Sequence, residues 1–161
     1  MVEQIIVIAS AIIFLGIMVV LFRETKVIEK SHNSTRLADL TSISTAVNLY
    51  LADNHDFSVL QTGATYESVT SSKSAKRSDG TGWIPLDFAA VTSGTPLAAL
   101  PVDPINDKAK GYYYRFGVKV AEKTYEVDCA FESADDADKQ SSDGGNNPSR
   151  FEMGTDLSIL P

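Results

Sequence analysis

The pattern of apolar and polar positions changes several times along the chain, and its first segment is the most distinctive. Residues 5–22 carry no charge, and only Ser10 and Gly16 interrupt a run of large or small apolar side chains. A helix rises about 1.5 Å per residue, so the run spans roughly 27 Å, close to the hydrocarbon thickness of a bilayer. One acid, Glu3, precedes it. The run predicts an apolar helix that anchors the chain in a membrane or packs against copies of itself.

A secretory signal peptide is a third interpretation of this run, and the flanking residues argue against it. A signal peptide has a basic flank, a shorter apolar core and a small-residue cleavage site. Here the flank is acidic at Glu3, and no Ala-x-Ala site follows Phe22. A carboxylate is costly within lipid and usually marks function there, although it gains from the dipole at a helix N-terminus. A plain membrane anchor therefore stays open beside an assembly surface.

The next segment has the period of an amphipathic helix. Its apolar residues recur at spacings of three and four and form one stripe: Leu37, Leu40, Ile43, Val47, Tyr50 and Leu51. A polar cluster at residues 52–56 is typical of a helix end. No proline lies between residues 3 and 54, so the pattern predicts one helix of about fifty residues, roughly 75–80 Å long.

The rest of the chain predicts a loop and then a small antiparallel sheet. Residues 57–82 are rich in Ser, Thr and Gly and predict a surface loop. Over residues 111–132 the apolar period becomes two, which predicts a hairpin with one buried face. Cys129 lies on that face and is interpreted as a core residue. An acidic loop at 133–147 and a C-terminal strand and tail at 149–161 complete the pattern.

Together these elements predict an α+β fold with two regions. A long N-terminal α-helix has a protruding apolar half and a packed amphipathic half, and it lies on a small antiparallel β-sheet of three to four strands. Residues 1–28 form a transmembrane or filament-core helix in this prediction. Residues 29–161 form a globular head, in which the amphipathic helix covers 29–54.

Composition restricts the chemistry of the head. The chain has 161 residues, a net charge of -7, one cysteine and two histidines. The negative charge argues against a nucleic-acid interface as the main activity, and the single cysteine excludes an intrachain disulfide. No phosphate-binding loop or nucleophile elbow occurs in the sequence. We therefore expect no enzymatic activity and no catalytic residues.

The acidic loop has two interpretations. It is either a solvated loop or a calcium site, because flexible loops rich in carboxylates suit that ion. The candidate ligands are Asp135, Asp136, Asp138 and Asp143. Calcium is the one cofactor that the sequence suggests, and no other is expected.

Several segments resemble the type IV pilin superfamily, which includes the pseudopilins of type II secretion systems. The resemblance is strongest in the acid near the start, the apolar run and the amphipathic continuation. It extends to five later segments: residues 46–54, 100–104, 112–114, 125–127 and 143–145.

The resemblance implies a structural subunit of a type IV pilus or pilus-like filament that serves surface attachment, twitching motility or DNA uptake. Copies of the chain would polymerise through their first helix, after residence in the inner membrane, into an extracellular filament at the cell surface. The implied assembly residues are Glu3, Ile5, Ile6, Ile8, Ile12, Phe14, Leu15 and Gly16. The implied partners are a prepilin peptidase and the pilus assembly machinery, and no nucleic-acid contact is assigned.

Two alternatives and two departures from the family pattern accompany this resemblance. The alternatives are a pseudopilin of a type II secretion system and a single-pass membrane-anchored extracytoplasmic binding domain. In the family the glutamate is the fifth mature residue and the N-terminus is methylated, whereas Glu3 is the third residue here, so we expect further residues to precede Met1. Val20 lies where many pilins have a helix-melting proline.

Overall fold

The computed structural model describes residues 2–70 and 75–161, and among the first 24 residues it describes the side chains of Gln4, residues 12–15 and Met18 only. Helix α1 comes first, and a four-stranded sheet and a short helix α2 follow it. The elements in chain order are α1 (Val2–Ala52), β1 (Tyr66–Glu67), a 3-10 turn (Phe88–Ala90), β2 (Arg115–Lys119), β3 (Thr124–Cys129), a second 3-10 turn (Ala134–Asp136), α2 (Ala137–Ser141) and β4 (Phe151–Gly154).

The sheet is antiparallel throughout, with the strand order β1-β2-β3-β4. Phe116 of β2 lies opposite Val127 of β3, and Met153 of β4 lies opposite Val127 on its other side. A tight turn joins β2 to β3, and Lys123 adopts a positive φ of 55° within it. The strands are therefore neighbours in sequence order, and the fold is α+β with a four-stranded antiparallel sheet.

The core lies between α1 and one face of the sheet. Leu40, Ile43 and Val47 are fully buried on α1, and Tyr125 and Val127 are fully buried on β3. Burial of a side chain of this size contributes about 1.5–3 kcal/mol, so this stripe supplies much of the stability of the head. The Tyr125 hydroxyl also lies 2.7 Å from Ser44 Oγ, which fixes the position of α1 along the strand.

Helix α1 requires a correction of the predicted fold class. Its side chains are described without interruption from residue 25 to residue 52, and Lys26, Glu29 and Lys30 place charges in this stretch, which does not start at the N-terminus. Within the described residues, no helix has the length and apolar character needed to cross a membrane. The prediction of a long N-terminal helix with a protruding apolar half is therefore wrong, because the helix that is described without interruption, residues 25–52, is neither N-terminal nor apolar enough to span a membrane. That part of α1 is amphipathic, and one face packs on the sheet.

The prediction of one buried face for the hairpin is also wrong. On β3, Glu126 and Asp128 are as completely buried as their apolar neighbours. The chain after β4 covers them: Leu160 and Ile159 lie over Gly117, where an added Cβ would come within 2.8 Å of Leu160 Cδ2. The tail, residues 156–161, thus forms a second cover on the sheet, opposite α1.

The interpretation of Cys129 as a core residue is confirmed, because its side chain is fully buried. Burial raises the pKa of the Cys129 thiol well above its usual range, so the reactive thiolate is rare. We expect a thiol reagent to label Cys129 only as fast as the chain unfolds, with the rate rising steeply as urea is added. Labelling at the rate of an exposed thiol without denaturant would contradict this packing.

Candidate functional site

Large apolar side chains are exposed along α1 outside its packed face. Ile12, Ile13, Phe14 and Leu15 are each 65–67% exposed. Successive helix residues point about 100° apart, so these four side chains face all sides of the helix. Among the described side chains before the packed stripe begins at Leu37, Met18, Val27 and Ile28 are also exposed. We call these seven side chains the apolar helix surface.

Contiguous exposed apolar patches usually mark a surface that another molecule covers. Three of the predicted assembly residues, Ile12, Phe14 and Leu15, belong to the apolar helix surface. The side chains of the other five lie outside the described residues: Glu3, Ile5, Ile6, Ile8 and Gly16. The sequence prediction did not include Val27 and Ile28, because the charges after Phe22 ended the apolar run.

A buried ion-pair cluster attaches α1 to the head. Arg36 is fully buried, and its Nε donates to Asp103 Oδ2 at 2.5 Å. Its Nη1 lies 2.6 Å from Glu132 Oε1, and its guanidinium lies 5.0 Å from the centre of the Tyr112 ring. Burial by itself lowers the pKa of Arg36, but the two carboxylates outweigh it and raise the pKa above its usual value. The cation is therefore permanently charged and fully partnered.

Asn33 and Tyr114 continue this attachment on both sides of Arg36. Asn33 Oδ1 accepts from the backbone N–H of Glu132 at 2.9 Å. The Tyr114 hydroxyl donates to Asp39 Oδ2 at 2.7 Å, and burial raises the pKa of Tyr114. Sequence analysis missed this cluster, because Arg36 sits in a polar segment whose pattern gives no sign of burial. The cluster fixes the direction in which α1 leaves the head.

The four predicted calcium ligands do not point to a common site, and three of them are bonded to other groups of the protein. Asp135 forms an ion pair with Lys30 at 2.9 Å, and this hydrogen bond lowers the pKa of Asp135. Asp136 accepts from Lys139 Nζ at 2.7 Å, and Asp138 lies in the first turn of α2.

Asp143 accepts from the backbone N–H groups of Gly145 and Glu152, with one oxygen for each. Among the described residues no group of three or more acidic, histidine or cysteine side chains is placed to hold a metal ion. The geometry gives the calcium prediction no support.

A cavity of about 290 Å³ lies between α1 and residues 131–139. Leu37 and Phe131 form its apolar part, and the ion pair of Lys30 with Asp135 lies at its wall. Its second lysine, Lys139, is paired with Asp136. Since both cations are already paired, the cavity offers no free charge to a ligand.

Comparison with models of known protein families gives no match, and no characterised protein or solved structure matches the chain either. The resemblance to type IV pilins therefore stays a prediction from the residues that carry it.

Proposed function

We propose that the protein is a structural subunit that assembles with copies of itself into a pilus-like filament. The apolar helix surface is the observation that carries this proposal. Covering one of its side chains contributes roughly 1–2 kcal/mol, because more than a third of each is exposed to water. Association costs about 4–15 kcal/mol in lost freedom of motion, so several of these side chains must be buried together.

The arrangement of the surface favours several neighbours over one. Ile12, Ile13, Phe14 and Leu15 point to all sides of α1, and a single partner helix covers only one side. A contact between unlike surfaces that does not close into a ring adds neighbours without limit and produces a helical filament. Such an assembly buries a helix on every side, whereas a two-fold dimer leaves part of it in water.

The head supports the same proposal through its charge and its attachment. The chain carries a net charge of -7, so heads that pack closely repel one another unless they face water and salt, which screens charges over about 8 Å at physiological ionic strength. The buried cluster around Arg36 holds α1 in one direction relative to the head. Each added subunit therefore presents its head in the same orientation.

The proposal places the filament outside the cell, where it would serve attachment, twitching motility or DNA uptake. A prepilin peptidase and assembly machinery are the further partners that it implies, and no catalytic role is part of it. The apolar helix surface also suits the second candidate, a pseudopilin of a type II secretion system. The two candidates share the assembly and differ in the machinery around it.

The test is a triple variant, I12S/F14S/L15S, of the full chain. We expect the natural chain to form filaments in electron micrographs and fast-sedimenting species in the centrifuge, and the triple variant to remain monomeric. The matched control is Val59→Ser, because Val59 is 66% exposed but lies after α1. It should assemble as the natural chain does.

The urea midpoint of the triple variant should equal that of the natural chain, because none of the three side chains packs on the head. Normal assembly of the triple variant, or a natural chain that stays monomeric in high salt, would refute the proposal.

A further inference from the structure

Two glutamates are buried on the outer face of the sheet, the face turned away from α1. Glu126 on β3 is 0% exposed and Glu152 on β4 is 3% exposed. Asp128 lies directly opposite Glu152 in the strand register. Side chains two positions apart on a strand share a face, so Glu126, Asp128 and Glu152 form one buried acidic group. We call Glu126 and Glu152 the acid pair.

The cations near the acid pair form ion pairs with other carboxylates. Arg115 Nη2 and Arg150 Nε both lie close to Asp128, at 2.5 and 2.8 Å. Lys119 on β2 is paired with Asp156 of the tail at 2.5 Å. The two arginines therefore neutralise Asp128, and neither has an ion pair with a member of the acid pair.

The remaining carboxylate near the acid pair is Asp143, which faces Glu152 from the loop at 143–147. Both of its oxygens accept from backbone N–H groups, so neither is bonded to a glutamate of the acid pair. It does not belong to a group that holds a metal ion. Among the described residues, no cation forms an ion pair with Glu126 or Glu152, although Arg115 and Lys119 lie near enough to attract the charge of Glu126.

The hydrogen bonds of the acid pair use only one oxygen of each side chain. Glu126 Oε2 accepts from the backbone N–H groups of Ile159 at 2.8 Å and Leu160 at 2.9 Å. Glu152 Oε2 accepts from the backbone N–H of Asn147 at 3.1 Å. The Oε1 atoms of both glutamates are buried without a hydrogen-bond partner. A buried, unpartnered carboxylate oxygen is costly, and two adjacent ones are satisfied at once by a single proton.

We propose that the acid pair shares one proton and acts as a proton-dependent latch for the tail at residues 156–161. With the proton bound, Glu126 holds the backbone of Ile159 and Leu160, and the tail closes the outer face of the sheet. When the proton leaves, two negative charges meet in a site from which the tail excludes water. Water reaches them only if the tail lifts, so loss of the proton opens the latch.

The pH at which this occurs follows from the surroundings of Glu126. Burial raises its pKa to about 7, and the neighbouring carboxyl of Glu152 adds to the effect. The backbone N–H groups of the tail favour the ionised form and so act against this rise. The latch therefore responds between mildly acidic and mildly basic pH.

Hydrogen exchange of the full chain, followed by mass spectrometry of the peptide that covers residues 155–161, tests the latch. After correction for the intrinsic exchange rate, we expect protection of this peptide to fall at least tenfold between pH 5.5 and pH 8.5. The peptide that contains β2 should keep its protection over the same range. Constant protection of the tail peptide would overturn the proposal.

Two variants separate the proton from general damage to the sheet. In Glu152→Gln the amide group donates permanently to Glu126 Oε1, and in Glu126→Gln it donates to Glu152 Oε1. Protection of the tail should then be independent of pH in Glu126→Gln. In Glu152→Gln burial still raises the pKa of Glu126, but the carboxyl of Glu152 no longer does, so the fall in protection should shift to lower pH. A folded example of either variant therefore tests the latch. Glu122→Gln is the matched control, because Glu122 is exposed in the turn of the same hairpin. The control should keep the natural pH dependence, and natural pH dependence in a folded acid-pair variant would overturn the latch.

Discussion

Replacement of Arg36 by methionine is expected to lower the free energy of unfolding by about 3–5 kcal/mol. Methionine fills a similar volume but leaves Asp103, which is buried, and Glu132, which is largely buried, without the guanidinium. Asp103 retains the backbone N–H of Ile105 at 2.8 Å, which offsets a small part of the loss. The free energy of unfolding of Arg36→Lys is expected to lie between those of the natural chain and Arg36→Met. An ammonium group keeps the charge but cannot form the same fork of hydrogen bonds.

The matched control for Arg36→Met is Lys30→Met, on the same helix. Lys30 and Asp135 also form an ion pair, but their side chains are 57% and 48% exposed. Water and salt screen an exposed pair, so it contributes much less than a buried one. Urea denaturation of the natural chain, Arg36→Met and Lys30→Met measures the two losses of stability. Equal losses for the two variants would show that burial of the ion pair of Arg36 has no special energetic role.

The free energy of unfolding is also expected to fall as the pH rises from about 5 to about 8. The pKa of Glu126 is raised to about 7 from an ordinary value of 4.5, first by burial and then by the neighbouring carboxyl of Glu152. Between these two values the folded chain holds a proton that the unfolded chain has released. The stabilisation is therefore complete below pH 4.5 and is lost as the pH rises through 7. At about 1.4 kcal/mol per pH unit, the loss is about 3 kcal/mol.

Other acids affect the free energy of unfolding at lower pH. Hydrogen bonds from Lys30 and Lys119 lower the pKa of Asp135 and Asp156, respectively. A lowered pKa contributes stability above the ordinary value of 3.8, and that stability is lost as the pH falls below it. The two effects together place maximum stability near pH 5.

Urea denaturation of the natural chain and of Glu126→Gln at pH 5, 6, 7 and 8 measures the effect of Glu126. The variant should lose the fall in stability between pH 5 and 8. A natural chain whose stability does not fall over this range would show that the pKa of Glu126 is not raised in the folded chain.

The sequence predicted the features of this fold that depend on periodicity. The stripe at Leu40, Ile43 and Val47 identified the face of α1 that packs, and the alternation around Tyr125 and Val127 identified the hairpin. These patterns work because one side of each element faces the core and the other does not. They give no sign of a second cover, so the predicted hairpin had one buried face and the burial of Glu126 was missed.

The buried polar groups were beyond sequence prediction for a related reason. Arg36 meets Asp103 across a separation of 67 residues, and Glu126 meets the tail across more than thirty. The sequence does not show whether a charged residue is solvated or buried with a partner, because the partner comes close only in the folded chain. The four acids of the predicted calcium site show the converse, because nearness in sequence did not gather them into one group.

The contacts of α1 also set the order in which the chain can fold as it is made. Each of its polar contacts forms only after a later residue has been synthesised. Arg36 contacts Asp103, which is 67 residues later in the chain. Ser44 contacts Tyr125, 81 residues later, and Asn33 contacts Glu132, 99 residues later. At a synthesis rate of 5–20 residues per second, 80 residues take roughly 4–16 s. Isolated helices shorter than about 12–15 residues are marginal in water, and α1 is longer than this, so we expect it to form before its partners are made. Its stripe at Leu40 and Ile43 stays uncovered until the sheet arrives, so docking of a preformed helix is the late step of folding and the period of greatest exposure to aggregation.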